Sequence, residues 1–219
     1  MDLRFFTGSQ EGDDEMDAQG NARWHALIDV MREDGRLPAE GRPSLVDVGC
    51  HYGGFLNVVK ERTGAIAVGV DPLDTARFKA RARGLHVVDN ISKLVRGTAD
   101  NVTCIDVLYV VPNLTDFLFQ LMDLMRRPGG RIYIVHRHHP ESPAWAAEPL
   151  RAVRHVFGYY PMQILDVAER CGLEVMMRPL FPSTVWVAPV PGVKLASAHD
   201  LFAYYQHSLV FRIRPKRKE

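Results

Sequence analysis

Apolar residues in this chain gather in short unbroken runs: Ser44–Val48, Ile66–Val70, and residues 85–88, 102–108 and 131–135. Runs too short for helices and without polar alternation suit parallel strands buried on both faces. Helical spacing falls between and around them. In 21–32 (NARWHALIDVMR), Trp24, Leu27, Ile28 and Met31 stand at i, i+3, i+4 and i+7. A second helix should follow residue 53 and run to about Arg62, where Thr63-Gly64 supplies a stop. Further on, Leu114, Phe117, Leu118, Leu121, Leu124 and Met125 form one stripe behind a capping Asn113, with Asp116 in the first turn. Residues 162–171 read as a helix closed by Gly172, and 174–180 and 208–214 read as two more strands. The pattern predicts an α/β, doubly wound, mostly parallel seven-stranded sheet with helices on both faces.

The chemistry concentrates in the first strand–helix–strand unit. LVDVGCHYGGF (45–55) is followed by AVGVDP (67–72): a strand, a glycine turn, a helix and a second strand ending in an acid. This order builds one mononucleotide-binding half, with a ligand across the carboxyl ends of the strands and the acid on its ribose hydroxyls. Gly49 and Gly53 can take positive φ where the chain reverses, and they lack a Cβ that would block a ligand.

These residues resemble the class I S-adenosylmethionine-dependent methyltransferases, whose first motif runs acid, x, Gly, x, Gly, x, Gly. Asp47, Gly49 and Gly53 match, and His51 stands where the middle glycine usually falls. The nicotinamide fingerprint G-x-G-x-x-G fits less well, because it needs a glycine at His51. The likeness continues through VDP (70–72), VVDN (87–90), ADNVTCIDVLYVVPNL (99–114) and RRPGGRIYIV (126–135), covering roughly residues 40 to 180.

The resemblance implies S-adenosylmethionine as cofactor and an antiparallel last strand. It implies that Asp71, beside Pro72, takes the ribose, and that Asp89 and Asn90 sit at the adenine amino group. Asp47 is implied to order the turn Gly49-Cys50-His51 and the methionine amino group, and Asp106 to lie beside the methionine moiety. The acceptor would then face Tyr109 in the loop after the fourth strand, and Trp24 on a helix that covers cofactor or substrate. Plain packing is the alternative for both aromatics.

VHRHHPES (135–142) places His136, His138 and His139 at the carboxyl end of the fifth strand. Three close imidazoles read as a general base, a metal site or a polar loop without chemical role. No accompanying acidic cluster favours metal, so none is expected. Methyl transfer asks chiefly for alignment, and a base only if the acceptor arrives protonated, so a histidine leans towards O- over N-methylation.

Composition narrows the partners. With 27 Lys+Arg against 26 Asp+Glu, the net charge of +1 gives no overall footprint for nucleic acid. Residues 1–20 are acidic and polar, read as a mobile segment without a signal peptide's apolar core. No run approaches the roughly 18 apolar residues of a membrane span. Cys50, Cys104 and Cys171 are odd in number and lack C-x-x-C spacing, against a disulfide framework or zinc. The expectation is a cytoplasmic methyltransferase for a small metabolite or natural-product intermediate, with one domain over 21–219 and substrate-cover insertions at 138–158 and 181–207. A homodimer is left open. The rival readings are an RNA or protein methyltransferase, a non-catalytic partner subunit of the same fold and, more distantly, a dehydrogenase.

Overall fold

The structure is a computed structural model, and it describes residues 23–37, 41–137, 159, 161–180 and 208–216. Its elements are α1 (23–33), β1 (Ser44–Val48), α2 (Gly54–Arg62), β2 (Ile66–Val70), α3 (Asp74–Ala82), β3 (Val87–Val88), β4 (Asn101–Ile105), α4 (Leu114–Leu124), β5 (Arg131–Arg137), α5 (Pro161–Arg170), β6 (Leu173–Pro179) and β7 (Ser208–Pro215). The seven strands form one sheet in the order β3-β2-β1-β4-β5-β7-β6. Pairs from β3 to β5 are parallel, and β7 lies antiparallel to both β5 and β6. The expected seven strands and antiparallel last strand are present, with β7 inserted between β5 and β6.

Alternation along the strands feeds two cores. Val46, Val48, Val102, Cys104, Ile132 and Ile134 face α4 and α5. Leu45, Tyr133, Val135 and Val210 face α1 and α2. Leu27, Ile28 and Met31 are fully buried there, as their helical spacing requires, while Trp24 is partly buried at the cluster's rim. The Asn113 side chain accepts from the Asp116 N–H at 3.1 Å, capping α4 as expected. Helix α2 stops because the Thr63 hydroxyl turns back onto the Val59 carbonyl, 2.8 Å away.

Two boundaries and one helix differ from the sequence pattern. The fourth apolar run ends as a strand at Ile105, and Leu108–Val110 forms a 3₁₀ turn because Asp106 takes positive φ and breaks the extended backbone. The third run shrinks to Val87–Val88 at the sheet edge. Helix α3 buries Ala76, Arg77 and Ala80 and leaves Phe78 exposed, so its inner face lacks the large apolar side chains by which a helix stripe is recognised. The segments 1–20, 138–158 and 181–207 lie outside the described residues.

Helix α1 is tied to the sheet by charge as well as by apolar packing. Asp34 accepts from Arg212 on β7 at 2.6 Å and from the Tyr133 hydroxyl on β5 at 2.8 Å. Glu33 pairs with the buried Arg178 on β6 at 2.8 Å, and Asp29 with Arg62 of α2 at 3.1 Å. Asp34→Ala would orphan a buried phenol and leave Arg212 without its carboxylate. It should lower urea-unfolding stability by about 3 kcal/mol, whereas Asp34→Asn, which keeps an acceptor, should cost clearly less.

Candidate cofactor and active site

The site is built at the carboxyl ends of β1, β2 and β4. The Gly49 and Cys50 N–H groups both donate to the Val70 carbonyl, at 2.8 and 3.1 Å, which carries the chain off β1 across the end of β2. Gly49, His51 and Gly53 then take φ of 78°, 49° and 80°. His51 therefore adopts the left-handed backbone of the glycine it replaces, at a cost of about 1 kcal/mol. The two glycines are needed for internal packing as well as conformation. A Cβ on Gly49 would lie 2.2 Å from Val107, and one on Gly53 would lie 2.3 Å from Leu85. The clashes that exclude a side chain there are with the protein itself, not only with a ligand.

Asp71 clamps this turn. Its Oδ2 accepts from the His51 N–H at 2.8 Å and its Oδ1 from the Leu73 N–H at 2.9 Å, while Arg77 donates to its carbonyl at 2.8 Å. An ionised carboxylate offers about four lone-pair sites, so one on each oxygen remains for a vicinal diol. The His51 and Tyr52 ring centres lie 3.7 Å apart with their planes tilted by 38°, and the Lys79 ammonium lies 4.3 Å from the Tyr52 ring centre.

Asp47, one strand in, is 2 % exposed and accepts from the Thr103 hydroxyl at 2.7 Å. Burial pushes its carboxyl up to about 7; the Thr103 hydrogen bond opposes this and the nearby Asp71 charge adds to it. Burial likewise raises the Cys50 thiol, which makes Cys50 a poor nucleophile. Asp106 leaves β4 with φ 52° and pairs with Arg23 of α1. Trp24 lies over the start of α2, where any Cβ on Gly54 would meet its ring at 2.1 Å.

The outer residues spread more widely. Pro72 and Asn90 are exposed, and the Asn90 side chain caps the short turn after β3 through the Ser92 N–H at 2.9 Å. Asp89 pairs with Lys93 at 2.8 Å; that lysine's hydrogen bond and charge hold its carboxyl below the ordinary range. Tyr109 is half-buried in the turn after β4. His136 is buried, on the α4–α5 side of the sheet, and its Nε2 donates to the Tyr159 carbonyl at 3.0 Å. His138 and His139 lie outside the described residues, and among the described residues no cluster of three His, Cys, Asp or Glu could hold a metal.

Sequence reasoning missed Arg23, Thr103 and Tyr159, the partners of Asp106, Asp47 and His136. Thr103 had a signal, since strand alternation puts it opposite Asp47 in the β1–β4 register. Arg23 and Tyr159 had none, because both come from outside the strands they serve.

The family profile described as "Methyltransferase domain" matches residues 16–177. The chain belongs to this methyltransferase family. Among curated proteins it is similar to the ubiquinone biosynthesis O-methyltransferases of Shewanella pealeana and Shewanella halifaxensis, each 34 % identical over 99 residues, 41 % of this chain and 41 % of the relative. The match thus spans about two-fifths of those relatives' length. Among solved structures, a chain from the complex between the Haloferax volcanii Trm112 methyltransferase activator and a methyltransferase superposes with TM-score 0.67 at 16 % identity, covering 94 % of this chain and 95 % of that one. The geranyl diphosphate C-methyltransferase of Streptomyces coelicolor, with Mg2+, geranyl diphosphate and S-adenosyl-L-homocysteine, gives 0.65 at 16 %, covering 90 % and 77 %. The Haemonchus contortus phosphoethanolamine N-methyltransferase 2, with its phospho-base and S-adenosylhomocysteine, gives 0.62 at 14 %, covering 88 % and 52 %. At these identities the structures speak for the fold. The chain shares that fold over 94 % of the given sequence.

Two outcomes test the site's physics. The folded Asp47 carboxyl keeps its proton up to about 7, whereas the unfolded one ionises near 3.8. Its contribution to stability is therefore complete below the unfolded value, falls as pH rises across that window, and is lost above about 7. In urea titrations from pH 4 to 8, Asp47→Asn should lack this part of the decline. His51→Gly should relieve left-handed strain while losing the Tyr52 ring contact, leaving unfolding free energy within about 1 kcal/mol of the parent.

Proposed function

We propose that the chain transfers a methyl group from S-adenosylmethionine to a small-molecule acceptor, with an oxygen nucleophile favoured over nitrogen. The observation that carries this reading is the Asp71 carboxylate, buried at the end of β2 and aligned by two backbone N–H groups with a lone pair to spare on each oxygen. That acceptor set fits a ribose diol at the carboxyl end of β2. The cofactor, when bound, supplies a methyl already activated on a sulfonium.

The protein's own residues then bind and align. Asp71 holds the sugar, Asp89 and Asn90 stand at the strand end where the adenine amino group would lie, and Pro72 shapes the turn between them. Asp47 keeps the β1 end ordered through Thr103, and with Asp106 lies at the methionine end. Cys50 and His51 contribute backbone. Trp24 on α1 and Tyr109 in the turn after β4 are the aromatics assigned to the acceptor in this reading, and its remaining contacts are to be sought in 138–158 and 181–207.

Support for oxygen comes from the O-methyltransferases to which the chain is similar and from His136 at the carboxyl end of β5, level with Asp106, whose N–H donates to the Val135 carbonyl at 2.9 Å. In this reading one of His136, His138 and His139 accepts the acceptor's proton. The free thiols of Cys50, Cys104 and Cys171 support a cytoplasmic setting; among the described residues no helix is long and apolar enough to cross a membrane.

Calorimetry and turnover separate the parts of this reading. Asp71→Ala should weaken S-adenosylhomocysteine binding by about ten- to a hundred-fold. With a phenolic or hydroxylated acceptor found by screening for S-adenosylhomocysteine release, His136→Gln should keep the Tyr159 hydrogen bond and cofactor affinity yet slow turnover by about a hundred-fold. Unchanged affinity in Asp71→Ala overturns the cofactor assignment. Unchanged turnover in His136→Gln removes this histidine as the base.

A further inference from the structure

The opposite ends of the strands carry an arrangement that the methyl-transfer site does not use. Arg131, the first residue of β5, faces Asn101 on β4. Continued by one residue, the antiparallel register that pairs Ile132 with Ile213 sets Arg131 against Arg214 on β7, and Arg214 faces Glu174 on β6. These four side chains form a row across four strands, at the amino-terminal end of the parallel ones and on the α1 side of the sheet. Arg36, just beyond α1, lies over the row: its carbonyl accepts from the Asn101 amide at 3.1 Å, and its guanidinium reaches the Asp100 carbonyl at 3.5 Å.

The charges there do not balance. Glu174 pairs with Arg214, Asp100 with Arg126 and Asp34 with Arg212. Among the described residues Arg131 donates to the carbonyls of Gly129 and Gly130, at 3.2 and 2.9 Å. Among the described residues no carboxylate pairs with Arg36 or Arg131. The Nε atoms of Arg36 and Arg214 are buried donors without a hydrogen-bond partner. Burial, and then the positive charges of Arg36, Arg214 and Arg212, hold the Arg131 guanidinium below its ordinary value. Like charges facing each other across strands are destabilising, and a buried N–H without an acceptor is costly. Both costs vanish if an oxyanion bridges the guanidiniums. Three arginines and Glu174 sum to two positive charges, which matches a phosphate dianion.

We propose that Arg36, Arg131 and Arg214 form a binding site for a phosphate group, free or as a phosphomonoester, at the end of the sheet remote from the cofactor. The site is independent of the methyl-transfer reading. It makes a prediction that a purely structural role for Arg131 reverses. In phosphate-free buffer Arg131→Gln relieves repulsion and should raise the thermal midpoint, whereas an arginine that serves only to close the Gly129-Gly130 turn would lower it.

The experiment is calorimetry and thermal unfolding with inorganic phosphate and with glycerol 3-phosphate, against potassium chloride at matched ionic strength. Phosphate should raise the midpoint beyond the chloride control, and Arg131→Gln and Arg36→Gln should each weaken phosphate binding by about tenfold or more. Asp71→Ala should leave it unchanged. A response to glycerol 3-phosphate alone would assign the site to an esterified phosphate, and an equal response to both would assign it to the phosphate group itself. An effect matched by chloride, or one retained in both arginine variants, overturns the proposal; Arg36→Gln, outside the sheet, keeps the test decisive if Arg131→Gln fails to fold.

Discussion

The Asp71 carboxylate organises two chain reversals at once. One oxygen holds the His51 N–H in the turn from β1 to α2, and the other holds the Leu73 N–H at the start of α3. A buried carboxylate needs such donors, and three positive-φ residues between Gly49 and Gly53 need something to fix them. Each requirement satisfies the other. The result is a rigid concave edge at the ends of β1 and β2, the place where an α/β sheet of this strand order binds its ligand.

The neighbouring acids are separated by environment. Asp47, sealed in beneath Thr103, is driven towards its neutral form, partly by the Asp71 charge, while Asp89 at the exposed edge is held ionised by Lys93. The same physics ties α1 down. Arg23 reaches Asp106 beside the site, while Glu33 and Asp34 grip Arg178 and Arg212 on the antiparallel half of the sheet. One helix thus links the site to strands that arrive late in the sequence. An overall net charge of +1 conceals this segregation, including the surplus of arginine at the end of the sheet remote from the site.

The sequence by itself determined the fold class, the strand count and the first βαβ unit, because those depend on local composition. Apolar runs, helical stripes, the Asn113 cap and the glycine turn each act within a few residues. Asp71 and Asp47 were legible for the same reason, as acids at fixed positions in that unit. What each acid bonds to was not. Thr103 lies 56 residues from Asp47, and Arg23 lies 83 from Asp106. Whether Asp47 is neutral or charged follows from burial, a property of the packed sheet. The left-handed backbone at His51 also needed the structure, since a histidine gives no local signal for positive φ and takes it only because Asp71 and the flanking glycines impose it. Helix α3 hid because Ala76, Arg77 and Ala80 mark an inner face only once β2 and β3 are beside them. The arginine row is the extreme case: Arg131 and Arg214 come to face each other only after β7 has folded back between β5 and β6.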